Sequence, residues 1–295
     1  MAKPFLKWAG GKRQLLARFD ELYPLELKTG AIANYYEPFV GSGAVFFDIS
    51  RKYPIKKAYL YDSNEALILT YKTLKENAAE LIDLLRKYQS KYDRFNAEKR
   101  KELYYKEREK YNKNDGDNPQ KAARTIFLNK TCYNGLFRVN SAGLFNTPSG
   151  DYKNPLICDE NNLIAASMAL QNAEITFADF ERVEADIKDN SFVYFDPPYR
   201  PISKSANFNN YGKNGFNDDE QKRLANLFRR LDKQGAKIML SNSDPKNIDK
   251  NDHFFDELYK DYRVRRVAAS RMINSNAAKR GIINEIIVTN YETPI

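Results

Sequence analysis

The run Ser191-Phe-Val-Tyr-Phe195 leads straight into Asp196-Pro197-Pro198-Tyr199, and no other junction constrains the chain as much. The run reads as a short apolar strand. A proline pair cannot continue a strand ladder, since neither residue carries an N–H. The strand therefore stops with a carboxylate at its C-terminal end, the edge of an open α/β sheet where ligands bind. What remains is a stiff, extended backbone with bare carbonyls, beside a carboxylate and an aromatic face. Asp196 Oδ and the Pro197 carbonyl can each accept one N–H of a planar amino group, while Tyr199 stacks on the ring that bears it, as on a nucleobase. A proline-rich turn that binds nothing would carry the same four residues.

Further short apolar runs read as strands at Asn34–Val40, Lys57–Asp62, Glu174–Asp179, Ala236–Asn242 and Asn284–Tyr291. Helical spacing separates many of them. In Asp218–Gln234 the apolar residues Leu224, Leu227, Phe228 and Leu231 share one face, acid opens the first turn and Gly235 follows the end. Strand–helix alternation predicts a mostly parallel sheet. The block between the second and third strands differs. Ala66 to about Tyr111 reads as long charged helix, Asn112–Asn118 as a polar break, and Pro119–Asn129 as another helix. Lys130–Pro155, rich in Asn, Gly, Pro and aromatics, reads as a loop or hairpin. Residues 70–153 carry 18 Lys and Arg against 11 Asp and Glu, which is most of the chain's net +9. We therefore expect residues 66–170 to be an inserted target-recognition domain for an anionic partner, and residues 1–65 and 171–295 to form the catalytic, cofactor-binding domain. A solvated charged bundle would show the same excess.

Composition narrows the chemistry. The pI is about 9.2, which favours an anionic partner. His253 is the only histidine, so a histidine-based zinc site or a Ser-His-Asp triad is not expected. Cys132 and Cys158 have neither metal-ligand spacing nor a disulfide framework. No apolar run approaches the roughly 18 residues of a membrane span, and Met1–Trp8 carries no secretion signal. The expectation is a cytoplasmic, nucleoid-associated protein of bacterial type, with no membrane partner and no metal.

Glu37-Pro38-Phe39-Val40-Gly41-Ser42-Gly43 follows the first strand and opens a helix. Its glycines let a ligand approach the backbone closely, although the third glycine of the dinucleotide fingerprint is missing. Asp62-Ser63-Asn64 follows the second strand, where a carboxylate can hold both hydroxyls of a ribose. Asp179-Phe180 follows the third, an acceptor and a ring suited to adenine. A glycine loop, a ribose acid and an adenine pair at successive strand ends is the layout of an S-adenosylmethionine site, with Asp196 beside it. Trp8 can pack on the cofactor or anchor the core. Lys12 can pair with a methionine carboxylate. Gly10-Gly11-Lys12 fails the phosphate-loop spacing.

Together these pieces resemble the Dam-type DNA adenine-N6 methyltransferases, especially the GATC-modifying methylases of restriction–modification systems. The likeness runs nearly end to end, through FLKWAGGK, EPFVGSGAVFFD, YDSN, NKTCYNGLFRVNSAGLFNTPSGDYKNP, ADF, DPPYRPIS, MLSNSD and KRGIINEIIVTNY. The order of cofactor loop, recognition domain and DPPY resembles the alpha arrangement of that class. The resemblance implies a doubly wound, mostly parallel seven-stranded Rossmann-like α/β sheet with an inserted, mainly helical target-recognition domain. It implies Lys7, Leu136, Arg138 and Pro148 as target readers, Tyr133 as an intercalating aromatic and Tyr152 at the same protein–DNA surface, with Asn134 and Asn140 beside them. Arg and Lys are the usual partners of guanine O6 and N7, although Arg138 in a phosphate contact or a salt bridge would look the same. Asn207–Tyr211 resembles a loop that closes over the extruded base. The implied partners are double-stranded DNA and a cognate restriction endonuclease acting on the same site without direct contact. Two rival readings keep the fold: a cytosine-N4 methyltransferase, which needs the same two acceptors, and a catalytically inert DNA-binding relative. A protein glutamine methyltransferase would usually have Asn in place of Asp196.

Overall fold

The computed structural model describes residues 1–8, 10–140, 142–200, 216–270 and 282–293. Its strands are β1 Asn34–Glu37, β2 Lys57–Asp62, β3 Ala173–Phe177, β4 Ser191–Phe195, β5 Lys237–Ser243, β6 Arg263–Ser270 and β7 Ile282–Thr289. The helices are α1 Leu16–Leu22, α2 Leu25–Lys28, α3 Ala44–Lys52, α4 Glu65–Glu76, α5 Ala78–Arg94, α6 Ala97–Asn112, α7 Asn118–Thr131, α8 Glu160–Leu170, α9 Val183–Asp186, α10 Asp218–Lys233 and α11 Phe254–Leu258. The loop expected at Asn207–Tyr211 lies outside the described residues.

The seven strands form one sheet in the order β3-β2-β1-β4-β5-β7-β6. β1 pairs in parallel with both β2 and β4, and β4 pairs in parallel with β5. β7 runs antiparallel to both β5 and β6. Strand order reverses between β1 and β4, the topological switch point of a doubly wound sheet. Ligands sit outside the carboxyl ends of such strands, and here those ends carry Glu37 and Asp196. Pro38 and Pro197 end their strands because neither can donate to a ladder.

Two compact units divide the chain: 1–11, 41–51 and 62–177 form the first, and 12–40, 52–61 and 178–295 the second. In the second, α10 lays Leu224, Leu227, Phe228 and Leu231 against Val193, Phe195, Ile238, Leu240, Ile286 and Val288, all fully buried. Each such side chain contributes about 1.5–3 kcal/mol. Asn217 caps the helix by accepting from the N–H groups of Asp219 and Glu220, and Gly235 takes the left-handed conformation beyond its end (φ +81°).

The first unit is mainly helical. The single long helix expected over 66–111 is three helices. Asn77 leaves helical geometry (φ −131°) between α4 and α5. Asn96 caps α6 by accepting the Lys99 N–H. Asparagine competes for backbone hydrogen bonds and so favours caps over helix interiors. β6 was missed from the sequence because Arg263-Val-Arg-Arg-Val-Ala-Ala-Ser has no apolar run. It is an edge strand, and charged edge strands discourage pairing with other chains.

Candidate active site and nucleic-acid surface

In the second unit, the end of β4 carries a charged cluster. Lys12 Nζ lies 2.8 Å from Asp196 Oδ1 and 3.4 Å from Glu285 Oε2. It also donates to the Tyr199 hydroxyl at 2.5 Å, 4.4 Å above that ring's centroid. The Tyr199 hydroxyl donates in turn to Glu285 Oε1 at 2.7 Å. Ser241 Oγ donates to Asp196 Oδ1 at 3.3 Å and hydrogen-bonds the Tyr194 hydroxyl at 2.7 Å. Among the described residues these contacts to Asp196 fall on Oδ1. Gln221, fully buried on α10, donates to the Pro198 carbonyl at 3.2 Å and so fixes the tetrapeptide.

The electrostatics follow from depth. Burial pushes the Asp196 carboxyl up to about 6, against the pull of Lys12, while a fifth of its side-chain surface stays open. Burial alone would lower Lys12, but Asp196, Tyr199 and Glu285 more than offset it and hold the ammonium well above the usual lysine range. Burial likewise raises the Tyr199 phenol, so it stays protonated. A carboxylate that accepts, a carbonyl one residue on and a fixed ring can bind a flat amino-bearing heterocycle.

Also in the second unit, Phe39 stacks on Phe180 with centroids 5.3 Å apart, and Phe216 meets both rings. Asp179 accepts the Glu181 N–H and pairs with Arg223 at 2.5 Å, while Arg223 lies over the Phe180 ring. Buried Glu37 accepts from the Tyr35 hydroxyl at 2.8 Å.

The first unit holds the glycine loop and the expected ribose acid. Asp62 accepts the N–H groups of Gly41 at 3.1 Å and Asn64 at 2.9 Å. Burial nevertheless lifts its carboxyl to about 6. Asn64 caps α4 through the Leu67 N–H. Gly41 has φ +46°, and a Cβ there would fall 2.9 Å from Trp8 Cδ1. Gly43 (φ +67°) faces the Tyr71 hydroxyl at 2.7 Å in the same sense, and Ser42 is buried. Trp8 also stacks on Phe137, centroids 5.4 Å apart. Gly41→Ala is thus expected to cost about 1–3 kcal/mol through overpacking, seen as a lower urea midpoint. An unchanged midpoint would show that the Trp8 ring can move aside.

Lys130–Pro155 is hairpin-like. Cys132 bridges Ser149, and Val139 bridges Phe145, both antiparallel. Alternation follows from that geometry: Tyr133, Leu136, Arg138, Asn140 and Pro148 are exposed, whereas Gly135, Phe137, Phe145 and Thr147 are buried. Asn134 takes the left-handed conformation (φ 55°) in a 3-10 turn. Arg138 Nε donates to Asn146 Oδ1 at 2.9 Å, and Asn140 Oδ1 accepts from the Ala142 and Leu144 N–H groups to shape the tip. α6 grips the hairpin: Tyr104 donates to the Thr147 carbonyl, and Asn112 exchanges two bonds with the Phe145 backbone. Buried Asn129 exchanges two bonds with the Lys7 backbone and also donates to the Gly135 carbonyl. Lys7 Nζ lies 4.3 Å over the Tyr152 ring. Lys7, Tyr152 and the exposed hairpin row therefore belong to one local framework.

Residues 8–273 match the family described as D12 class N6 adenine-specific DNA methyltransferase. The chain belongs to that family. A Type II methyltransferase, M.MjaIII of Methanocaldococcus jannaschii, is 50% identical over 98% of this chain and 99% of its own length. The Type II methyltransferase M1.LlaDCHI of Lactococcus lactis subsp. cremoris is 38% identical over 98% of this chain and 95% of its own. The DNA adenine methylase of Escherichia coli K12 is 33% identical over 97% and 94%. As a D12 methyltransferase the protein is an adenine-specific DNA-modifying enzyme. Sequence reasoning missed Glu285, Ser241, Tyr194 and Gln221 around its DPPY cluster, although Ser241 and Glu285 lie within motifs that carried the resemblance. The D12 methyltransferase has, among its described residues, no group of three His, Cys, Asp or Glu side chains able to hold a metal and no helix long and apolar enough to cross a membrane.

Proposed function

We propose that the protein methylates adenine N6 within GATC in duplex DNA, using S-adenosylmethionine, after turning the adenine out of the helix into the DPPY pocket. The observation that carries this reading is the Asp196 cluster: a half-buried carboxylate, bonded through Oδ1, beside a tyrosine ring fixed at its hydroxyl. The residues fit the cofactor in kind. Gly41 puts no side chain between its backbone and Trp8, Asp62 is an acidic acceptor for ribose hydroxyls, and Phe39 and Phe180 offer rings to an adenine. Glu37, Pro38, Ser42, Gly43, Asn64, Asp179 and Lys12 complete the proposed set. When bound, S-adenosylmethionine supplies a methyl group on a sulfonium centre.

An adenine inside a duplex is out of reach, and extruding it costs a few kcal/mol of unstacking. Tyr199 offsets part of this by stacking, worth about 1–3 kcal/mol per base. The exocyclic nitrogen is a poor nucleophile because its lone pair is delocalised into the ring. Accepting its two N–H bonds at Asp196 and the Pro197 carbonyl favours a pyramidal nitrogen with a localised lone pair. The N–H becomes acidic only after the methyl has bonded, so proton loss follows transfer. Orientation by Asp196, Pro197, Pro198 and Tyr199 supplies much of the acceleration.

Target reading is assigned to residues 66–170 together with Lys7. The exposed row of Tyr133, Asn134, Leu136, Arg138, Asn140 and Pro148, with Tyr152, supports it. Arg138→Ala is expected to lose about 1–3 kcal/mol of discrimination at one base pair, measured as relative methylation across single-base variants of the site. An unchanged preference would remove Arg138 from direct readout. The Type II names of two relatives support a role beside a restriction nuclease of the same site.

The deciding experiment is labelled methyl transfer to a duplex with one GATC, against a duplex with GTTC opposite GAAC. Label at adenine N6 in the first alone supports the whole reading. Equal label in both discards the target, and label at cytosine N4 discards the adenine assignment.

A further inference from the structure

We propose that Glu285 is a positioning residue for methyl transfer, holding the Lys12 ammonium and the Tyr199 hydroxyl so that Asp196 stays a strong acceptor and the Tyr199 ring stays fixed. The proposal rests on the reading of the DPPY cluster as the centre of the reaction.

The topology brings Glu285 there. β7 enters the sheet antiparallel beside β5, with Glu285 opposite Ser243. Leu240, three residues earlier on β5, is opposite Phe195 at the end of β4. The first half of β7 therefore lies at the same sheet edge as Asp196. Glu285 is 7% exposed, and a carboxylate that deep needs partners to offset its desolvation. Its partners are Lys12 Nζ at 3.4 Å and the Tyr199 hydroxyl at 2.7 Å.

Two consequences follow. Of the two described acids Asp196 and Glu285, Lys12, 3% exposed, would otherwise face Asp196 alone, and a buried one-to-one pair would tie up the charge that a substrate amino group has to meet. A second carboxylate shares the ammonium, so that these three described groups together are net negative, with Asp196 the more solvent-open of the two acids. The Tyr199 hydroxyl is also held twice, by Lys12 and by Glu285, which stops the ring from rotating away. A ring fixed before the base arrives loses less entropy on stacking.

Asp196 is faced by Lys12, Tyr199 and Glu285 and, through Ser241, by Tyr194. Removing the Glu285 charge removes a repulsion that keeps the Asp196 proton bound. The test is single-turnover methylation by Glu285→Gln and Glu285→Asp, followed from pH 4.5 to 8, with DNA affinity measured alongside. In the glutamine variant the rate is expected to fall by about 10²-fold, the scale of a small misplacement at a reacting centre. Its acid limb should move to lower pH while DNA affinity stays within a few-fold. The aspartate variant, which keeps the charge but not the reach, should be slowed with its limb unmoved. Wild-type rate and limb in the glutamine variant would overturn the proposal. So would a loss of DNA affinity matching the loss of rate. If the glutamine variant does not fold, a wild-type rate in the aspartate variant overturns the proposal and a slowed one with the native limb supports it. Failure of the underlying reading shows separately, as methylation that survives Asp196→Ala.

Discussion

Asp196→Ala is expected to lower the single-turnover methylation rate by at least about 10³-fold, on the scale of removing one preorganised group that stabilises a transition state, while DNA affinity stays within a few-fold. The reasoning starts from position. Asp196 ends β4 at the switch point, with Lys12 and Ser241 on Oδ1. Removing the carboxylate takes away the acceptor proposed for the amino group but makes no change in the hairpin sequence that carries the exposed row. Asp196→Asn should fall between wild type and alanine, since an amide oxygen still accepts but without charge. The pH dependence has a definite sign. The carboxyl, raised to about 6 by burial, loses its charge on protonation and becomes a weaker acceptor that also carries an O–H, so the wild-type rate should drop as pH falls through that region. A variant retaining a tenth of the activity, or losing DNA binding in proportion, would remove Asp196 from the role assigned to it.

The largest expected effect on stability lies in the helical unit. Glu107 on α6 accepts from Tyr88 at 2.7 Å, Arg124 Nε at 3.0 Å and Lys110 at 3.1 Å. Glu107 and Arg124 are both nearly fully buried. Glu107→Ala leaves the guanidinium buried without its carboxylate, which costs about 3–5 kcal/mol, a large share of a typical domain stability of about 5–15 kcal/mol. Replacing both partners by Leu and Met should be close to neutral, because the desolvation cost disappears along with the attraction. Burial would raise the Glu107 carboxyl, but its three donors outweigh burial and hold it below the ordinary value. The stability it contributes is therefore present above the unfolded-chain pKa and is lost as pH falls through the lower folded one. Urea midpoints of wild type and both variants at neutral and acid pH test this. A single alanine variant within 1 kcal/mol of wild type would show that water reaches Arg124.

The sequence announced the parts of the fold that depend on local pattern. The Pro-Pro stop, the apolar face of α10 and the loop or hairpin after α7 are each readable from local composition. What escaped depends on neighbours. Lys12 meets Asp196 and Glu285, which its own stretch of sequence does not show. That meeting requires β7 to lie beside β5, an adjacency no periodicity reveals. Asp179 likewise caps a 3-10 turn and holds Arg223, a residue 44 positions away and so out of reach of any local pattern. β6 failed as a strand candidate because an edge needs little apolar surface. The breaks at Asn77 and Asn96 were hidden among good helix formers.

The pairing of Asn34 on β1 with Ser191 on β4 has a consequence for how the polypeptide is made. About 150 residues must leave the ribosome after β1 before its second neighbour exists, which at roughly 5–20 residues per second takes about 8–30 s. During that interval β1 can pair only with β2, leaving an open edge available to other nascent chains. The helical stretch is translated in the gap, rich in short-range contacts and able to fold quickly. A gene cut between those strands would yield two polypeptides, each carrying half of an unfinished ladder.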